Sequence, residues 1–472
     1  MWASADAGSC HFSPMPRVKE QPRGTTTAPP LRISRLREEV PGGSWIFLGL
    51  YLTCLITCRP ILYLLGVSLS LRAISQLGDS LAFFLIVVGT YKYIASAMPN
   101  ALYRGRYRQQ VWAWFFFVLF FAVYGFLLQH NEWADVGKEF IGLSYIGVFL
   151  LLGGDDRVWY ALSKHLTCIF YVGAVLILVF YDTPGVNITS DDTMQYASTF
   201  MSNRYLSTIG YNLRPLIGSG VLLGTFGLVR RDRGLWRVLQ ILALGVTFAC
   251  EVFLFKFRSG ATIILLAGLS ILVLRPVYEG RIQLVKTVIL LTLGLVGIGY
   301  YFKSEASELL RGRFFLETQQ EPLFQSRNAE LDAYMEQMGW KVLIGNGVGG
   351  RFDASSVYKI PSASKWGALH YGVLKFSLIG GLPLLGLFAL FVVPGLVPQR
   401  RSWYKNPCNM TAALLFPIYF IGLLVGPILV EPEALTTTVP IVILFARFAL
   451  RRHATGRLRR FSLPEASVAR SL

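Results

Sequence analysis

The sequence predicts an all-α polytopic membrane protein, with about twelve transmembrane helices and a large extracytoplasmic loop containing short helices. Three observations predict it. Hydrophobic residues make up 53% of the 472-residue chain and charged residues only 15%, against about 25% charged in an average soluble domain; mean hydropathy is +0.49. Apolar runs recur from residue 45 to residue 450, and a spanning helix needs roughly 20 mostly apolar residues. Lys and Arg concentrate in alternate connections. The net charge of +18 therefore reads as the positive-inside pattern rather than as a nucleic-acid-binding face.

In chain order, residues 1–44 are rich in Pro, Thr, Arg and Ser and read as a disordered cytoplasmic tail. No apolar region precedes Cys10, so neither a secretory nor a lipoprotein signal is expected. Expected spans are 45–71, 80–97, 111–129, 139–152, 162–181, 214–229, 236–255, 261–275, 286–302, 372–393, 410–429 and 434–450. Arg59-Pro60 interrupts the first, which is one long kinked helix or two short ones. Expected inner connections carry Arg104, Arg106, Arg108, Arg157, Lys164, Arg230, Arg231, Arg233, Arg237, Arg275, Arg281, Arg400, Arg401 and Lys405. Expected outer connections are acidic or balanced, with Glu132, Asp135, Glu139 and Lys138 in one, and Glu431 and Glu433 in another. This alternation places both termini in the cytoplasm. A basic tail, 451–472, closes the chain.

Two outer loops, 182–213 and 303–370, exceed what a connection needs. The second balances eight Lys and Arg against eight Asp and Glu. Within it, Ala329–Trp340 sets Leu331, Tyr334, Met335 and Met338 at helical spacing before a glycine cluster. That predicts a short amphipathic helix on the outer membrane face.

Six cysteines (10, 54, 58, 168, 250 and 408) and five histidines show no metal-ligand spacing, and no disulfide framework is expected. The Gly345–Gly350 cluster follows no strand, which excludes a dinucleotide fingerprint. What remains is arginine at the outer surface: Arg204, Arg258 in a tight Phe-Arg-Ser-Gly reversal, Arg327 and Arg351. A guanidinium is always charged and grips phosphate through a planar fork, so a group of them suits a lipid-linked diphosphate. Singly, each also suits an interfacial anchor whose head snorkels to the lipid headgroups. His370 opens the tenth expected span. It is either an interfacial histidine bonded to backbone or a proton acceptor that titrates near neutral pH.

From Arg327 the chain runs through Leu331 to Trp-Lys-Val-Leu-Ile-Gly-Asn-Gly-Val-Gly at 340–349, His-Tyr-Gly-Val-Leu at 370–374 and Gly380-Gly381. This stretch resembles the O-antigen polymerase and O-antigen ligase superfamily of bacterial envelope polysaccharide enzymes. In that family a large outer loop leads from an Arg through a Gly-x-Gly segment to a His-Asn-x-x-Leu at the next helix. Tyr371 stands here where the family has Asn. The Phe-Arg-Ser-Gly-Ala turn at 257–261 is similar to the family's Ser-Arg-Gly turn, with the order altered.

The resemblance implies a metal-independent, cofactor-free glycosyltransferase of the bacterial inner membrane. It would polymerise repeat units carried on undecaprenyl diphosphate, or ligate them to a lipid or protein acceptor. His370 and Arg327 would be catalytic, and Arg204, Arg258 and Arg351 would bind the diphosphate. The expected partners are the lipid-linked glycan, membrane lipid, and a chain-length regulator and flippase of the same pathway, with no nucleic acid. A polysaccharide flippase or other transporter is the reading from a different class.

Overall fold

The computed structural model describes residues 40–57, 71–97, 106–180, 214–251, 258–280, 292, 323–353, 372–425 and 438–450. Both expected tails (residue 40 onward excepted), loop 182–213, nearly all of span 286–302, and 303–322 and 354–371 of the large loop lie outside the described residues. Arg204 and His370 lie outside with them, and Arg258 and Arg327 are described in backbone only.

Among the described residues the structure is helical throughout, with no strand. The helices are α1 (Gly43–Thr57), α2 (Leu71–Ala97), α3 (Arg106–Leu127), α4 (Trp133–Leu152), α5 (Asp156–Phe180), α6 (Gly220–Val229), α7 (Leu235–Ala249), α8 (Arg258–Tyr278), α9 (Leu323–Met338), α10 (Gly372–Val392) and α11 (Pro407–Val425). α12 (Thr438–Leu450) follows. Among the described residues five segments are long and apolar enough to cross a membrane: Leu77–Ser96, Tyr107–Leu127, Asp156–Val179, Gly372–Leu396 and Pro407–Leu424. A helix satisfies its own backbone donors and acceptors, which is what an apolar run needs where water is scarce.

Most boundaries depart from the hydropathy reading by a few residues; α8, for one, begins at Arg258, so the reversal expected there is the first turn of a helix. Within the run expected over 45–71 the described residues form a helix through Thr57, with 58–70 outside the described residues, and the next described helix begins at Leu71, before the expected 80. α4 begins at Trp133 rather than 139. Its first turns carry Asp135, Lys138 and Glu139, which a hydropathy window rejects, yet Glu139 is buried inside the bundle.

α3 and α4 run antiparallel in fixed register. Trp114 Nε1 donates to the Leu143 carbonyl at 2.9 Å, and Tyr107 Oη donates to the Leu150 carbonyl at 2.6 Å. The donors and the acceptors are each seven residues apart, about two helical turns, so the same face meets the same face. Trp114 also collects the rings of Phe376, Phe388 and Phe391. Elsewhere the helices approach through glycine: Gly49 of α1 lies against the Ala82 carbonyl, and Gly224 of α6 against Leu244 of α7. The outward faces are as apolar as the core. Leu77, Leu81, Phe84, Val87 and Tyr91 line one exposed stripe of α2, and Trp112, Phe116, Leu119, Phe120 and Val123 line α3. An apolar exterior of that extent needs an apolar surrounding.

Charge is confined to the ends. At the α4–α5 connection, Tyr93 donates to Asp155 at 2.9 Å, and Asn406 donates to Asp156 at 2.7 Å. Arg447 of α12 reaches Asp156, the Gly154 carbonyl and Asn409. Arg230 pairs with Asp232, bonds Gln240 and lies over the rings of Tyr160 and Phe226. Its hydrogen bonds hold the Asp232 carboxyl below the usual carboxylate range.

Close packing makes two glycines respond in opposite ways. A Cβ at Gly224 would stand 2.4 Å from Leu244 Cβ, whereas Gly245 has open space. Gly224→Val should destabilise by about 1–3 kcal/mol. Gly245→Ala should be neutral or stabilising by up to about 1 kcal/mol, because it removes a flexible glycine from a helix. Thermal unfolding midpoints in detergent check both.

Candidate functional site

The site is built on a glycine loop at the other end of α4. Gly345, Gly347 and Gly349 have φ of +85°, +78° and +79°, the left-handed region that L side chains avoid. Each also lies against backbone. A Cβ would come within 2.5 Å of the Ile379 carbonyl oxygen at Gly345, 2.3 Å of Gly125 Cα at Gly347, and 2.9 Å of Val136 N at Gly349. The loop is thus wedged between the C-terminal end of α3, the start of α4 and the middle of α10.

α10 is broken at that point. Gly380 has φ −131°, ψ 18° and Gly381 has φ +58°, ψ −153°, neither of them helical. Phe376 and Phe388 would stand about 18 Å apart along a straight helix. Their rings stack at 4.1 Å, so the two halves fold toward one another. The break frees two carbonyls. Ile379 would normally accept from residue 383, which is a proline without N–H; the Gly381 turn takes the Leu382 N–H away from Leu378. The loop replaces both donors. Asn346 N donates to Leu378 O at 2.7 Å and Gly347 N to Ile379 O at 2.9 Å.

The remaining loop donors are also committed. Val348 N donates to Phe121 O at 3.0 Å, Gly349 N to Glu139 Oε2 at 2.8 Å, and Gly350 N to Gly347 O at 3.1 Å. The loop therefore offers no open nest of N–H groups to a phosphate; it is a latch. Its carbonyls are held from the α3–α4 turn, where His130 takes a left-handed φ of 53°. There Asn131 Nδ2 donates to the carbonyls of Asn346 and Val348, both at 2.9 Å.

Four charges close the latch. Glu139 Oε1 accepts from Lys375 Nζ at 2.7 Å and from Arg351, and Arg351 reaches Asp135 at 3.1 Å. Glu139 and Lys375 are buried, and Arg351 and Asp135 face outward. The group is neutral. Burial alone would lower the Arg351 guanidinium's pKa, but the carboxylates of Glu139 and Asp135 outweigh it and hold it above its ordinary value. An anion approaching from outside competes with Asp135 for the exposed limb of Arg351.

α9 packs on the same unit. The amphipathic helix expected over 329–340 runs Leu323–Met338 and continues as a 3-10 turn to Leu343. Of its expected face, Tyr334 and Met338 are buried against Leu378 and Phe352, while Met335 is exposed. Tyr334 Oη donates to Ser377 Oγ at 3.1 Å. This helix docks on α10, so the apolar spacing read as a membrane-facing stripe is in part a protein contact.

Among the expected site residues, Arg351 is the one whose side chain is described, and it joins the charge cluster. Arg258 is the first residue of α8 and Arg327 lies in the second turn of α9. The cluster members Glu139, Lys375, Asp135 and Asn131 were not singled out from sequence. Glu139 had been assigned to an outer connection. Lys375 carried a usable signal, a lone cation inside an apolar run, which more often marks function than chance. Among the described residues no three of His, Cys, Asp or Glu converge to hold a metal ion. No family model matches the chain, and no curated protein matches it.

Two glycine substitutions separate backbone strain from collision. Gly339 has φ +47° with nothing near its missing Cβ, so Gly339→Ala should cost about 1–2 kcal/mol, the strain of the left-handed region. Gly347→Ala carries the same strain plus a backbone clash, and should destabilise by clearly more. Thermal unfolding of the two variants side by side reads the difference.

Proposed function

We propose that this chain is an inner-membrane glycosyltransferase. It polymerises oligosaccharide repeat units carried on undecaprenyl diphosphate, and ligation to a lipid or protein acceptor is the nearest alternative. In this reading twelve spans cross the bacterial plasma membrane with both termini cytoplasmic. The end holding Arg230 and Arg447 faces inward, and the glycine latch faces outward. One observation carries the reading. The glycines behind the resemblance, at 345, 347, 349 and 380–381, are those whose backbone the latch cannot do without.

The chemistry follows from the residue types. An acceptor hydroxyl attacks the anomeric carbon, the bond from that carbon to the diphosphate oxygen breaks, and undecaprenyl diphosphate leaves with the bonding electron pair. Arg204, Arg258 and Arg327 stabilise the charge that develops on the leaving group. Arg351 joins them through its outward limb. His370 takes the hydroxyl proton or orients the hydroxyl, and by resemblance no metal is needed. The broken α10, with a buried ion pair beside the break, is the feature that favours the second reading. Transporters build substrate sites from discontinuous helices.

A purified-protein assay with lipid-linked oligosaccharide separates the two. Transfer lengthens the glycan and releases undecaprenyl diphosphate; transport moves the lipid-linked glycan unchanged. Arg258→Ala and Arg327→Ala should each lower transfer about ten- to a hundredfold, the value of a lost charge-assisted contact. The Lys variants should stay impaired for want of the bidentate fork. His370→Ala should lower kcat by about 10²–10⁴-fold if the side chain is the base; near-normal His370→Gln activity would leave it an orienting donor. Topology is checked in intact cells. An impermeant thiol reagent should label Ser355→Cys and not Ser402→Cys, and the reverse would overturn the orientation.

A further inference from the structure

Glu139 ties three parts of the described bundle together: its own helix α4, the glycine latch and α10. Its two carboxylate oxygens accept from three donors on two other elements at once. Oε2 takes the Gly349 N–H at 2.8 Å, and Oε1 takes both the Lys375 ammonium at 2.7 Å and the Arg351 guanidinium. The acceptor sits in the second turn of α4, two of the donors sit in the glycine latch, and the third sits in the first turn of α10. The Glu139 side chain is only 3% exposed. Only another carboxylate could replace it in kind. A carboxylate is acceptor-only at both oxygens, whereas an amide would turn a donor toward Lys375.

We propose that Glu139 is a positioning residue of the transfer site. Its carboxylate fixes the glycine latch and the first half of α10 relative to each other, and so sets where that half-helix begins. This rests on the transferase reading for its consequence, but not for its geometry. The latch's backbone hydrogen bonds to α10 among the described residues fall at the break, on Leu378 and Ile379. Those bonds hold the C-terminal end of the half-helix; Lys375 holds its first turn. Arg351 keeps Asp135 whatever happens at Glu139, so neutralising Glu139 and Lys375 together preserves the charge balance of the group.

The test uses the full-length protein in nanodiscs, with Glu139→Gln and the double variant Glu139→Gln, Lys375→Gln. Hydrogen exchange is followed in peptides covering 345–352 and 372–379, with 156–180 in α5 as the reference, and kcat and KM are measured for the lipid-linked donor. In the single variant the 345–352 and 372–379 peptides should exchange about tenfold faster or more, while α5 is unchanged. Its kcat should fall by about a hundredfold with KM unchanged, the scale of a small misplacement of a reacting group. The double variant, whose amides bond each other without net charge, should recover protection and kcat together. Unchanged exchange at both peptides overturns the proposal. Equal acceleration in α5 overturns it too, because Glu139 would then stabilise the fold as a whole. So does wild-type kcat in a single variant with a loosened latch. If the wild-type protein transfers no glycan, the transferase reading falls, and the exchange data alone decide whether Glu139 seats the latch.

Discussion

A backbone carbonyl inside an apolar bundle must find a donor, and the site depends on how two of them do so. Leu378 and Ile379 lose their helical partners at Gly380–Pro383. An unpaired buried carbonyl costs on the order of 1–3 kcal/mol, and more where water is excluded. The glycine latch supplies the two missing donors from residues 346 and 347. This single requirement accounts for much else. The latch must come within backbone contact of α10, α3 and α4, so its alternate residues have no room for Cβ. It must also turn its N–H groups toward three helices, α10, α3 and α4, which the left-handed conformation at 345, 347 and 349 allows.

The charged groups follow the same logic at higher stakes. Removing one member of a buried ion pair leaves an uncompensated charge, at about 3–5 kcal/mol, although the intact pair itself adds little net stability. Glu139 and Lys375 are therefore better understood as specifying one arrangement than as glue. The opposite end of the bundle behaves differently. Arg230 and Arg447 are largely buried but pair with Asp232 and Asp156, which are more exposed, and both guanidiniums lie over aromatic rings. That end is a stack of helix connections tied by arginine. The latch end is one loop threaded into a broken helix.

This difference bears on mechanism. A loop whose every N–H is already committed cannot cradle a phosphate, so in the proposed reading anion binding at this end falls to side chains. Arg351 has one limb on the buried Glu139 and the other on the half-buried Asp135. The buried limb anchors and the exposed limb is open to exchange. An arginine tethered in this way is ordered before a substrate arrives, which lowers the entropy cost of gripping it.

Much of the helical pattern was legible from local residues. Apolar runs such as Val111–Leu127 and Met410–Val425 become helices because nothing else satisfies their backbone. Gly345, Gly347, Gly349 and Gly380-Gly381 stood out because glycine marks chain reversal and close approach whatever surrounds it. The amphipathic spacing of Leu331, Tyr334 and Met338 marked α9 for the same local reason. Hydropathy missed the first turns of α4, since a window that sums residues cannot distinguish a buried, paired glutamate from a solvated one. Only the tertiary structure decided that Glu139 is inside, that Lys375 is its partner 236 residues away, and that α10 folds back at its glycines. Burial of a charge depends on the partner that neutralises it, and a freed carbonyl depends on the donor that reaches it. Both arrive from distant parts of the chain, and no local pattern records them.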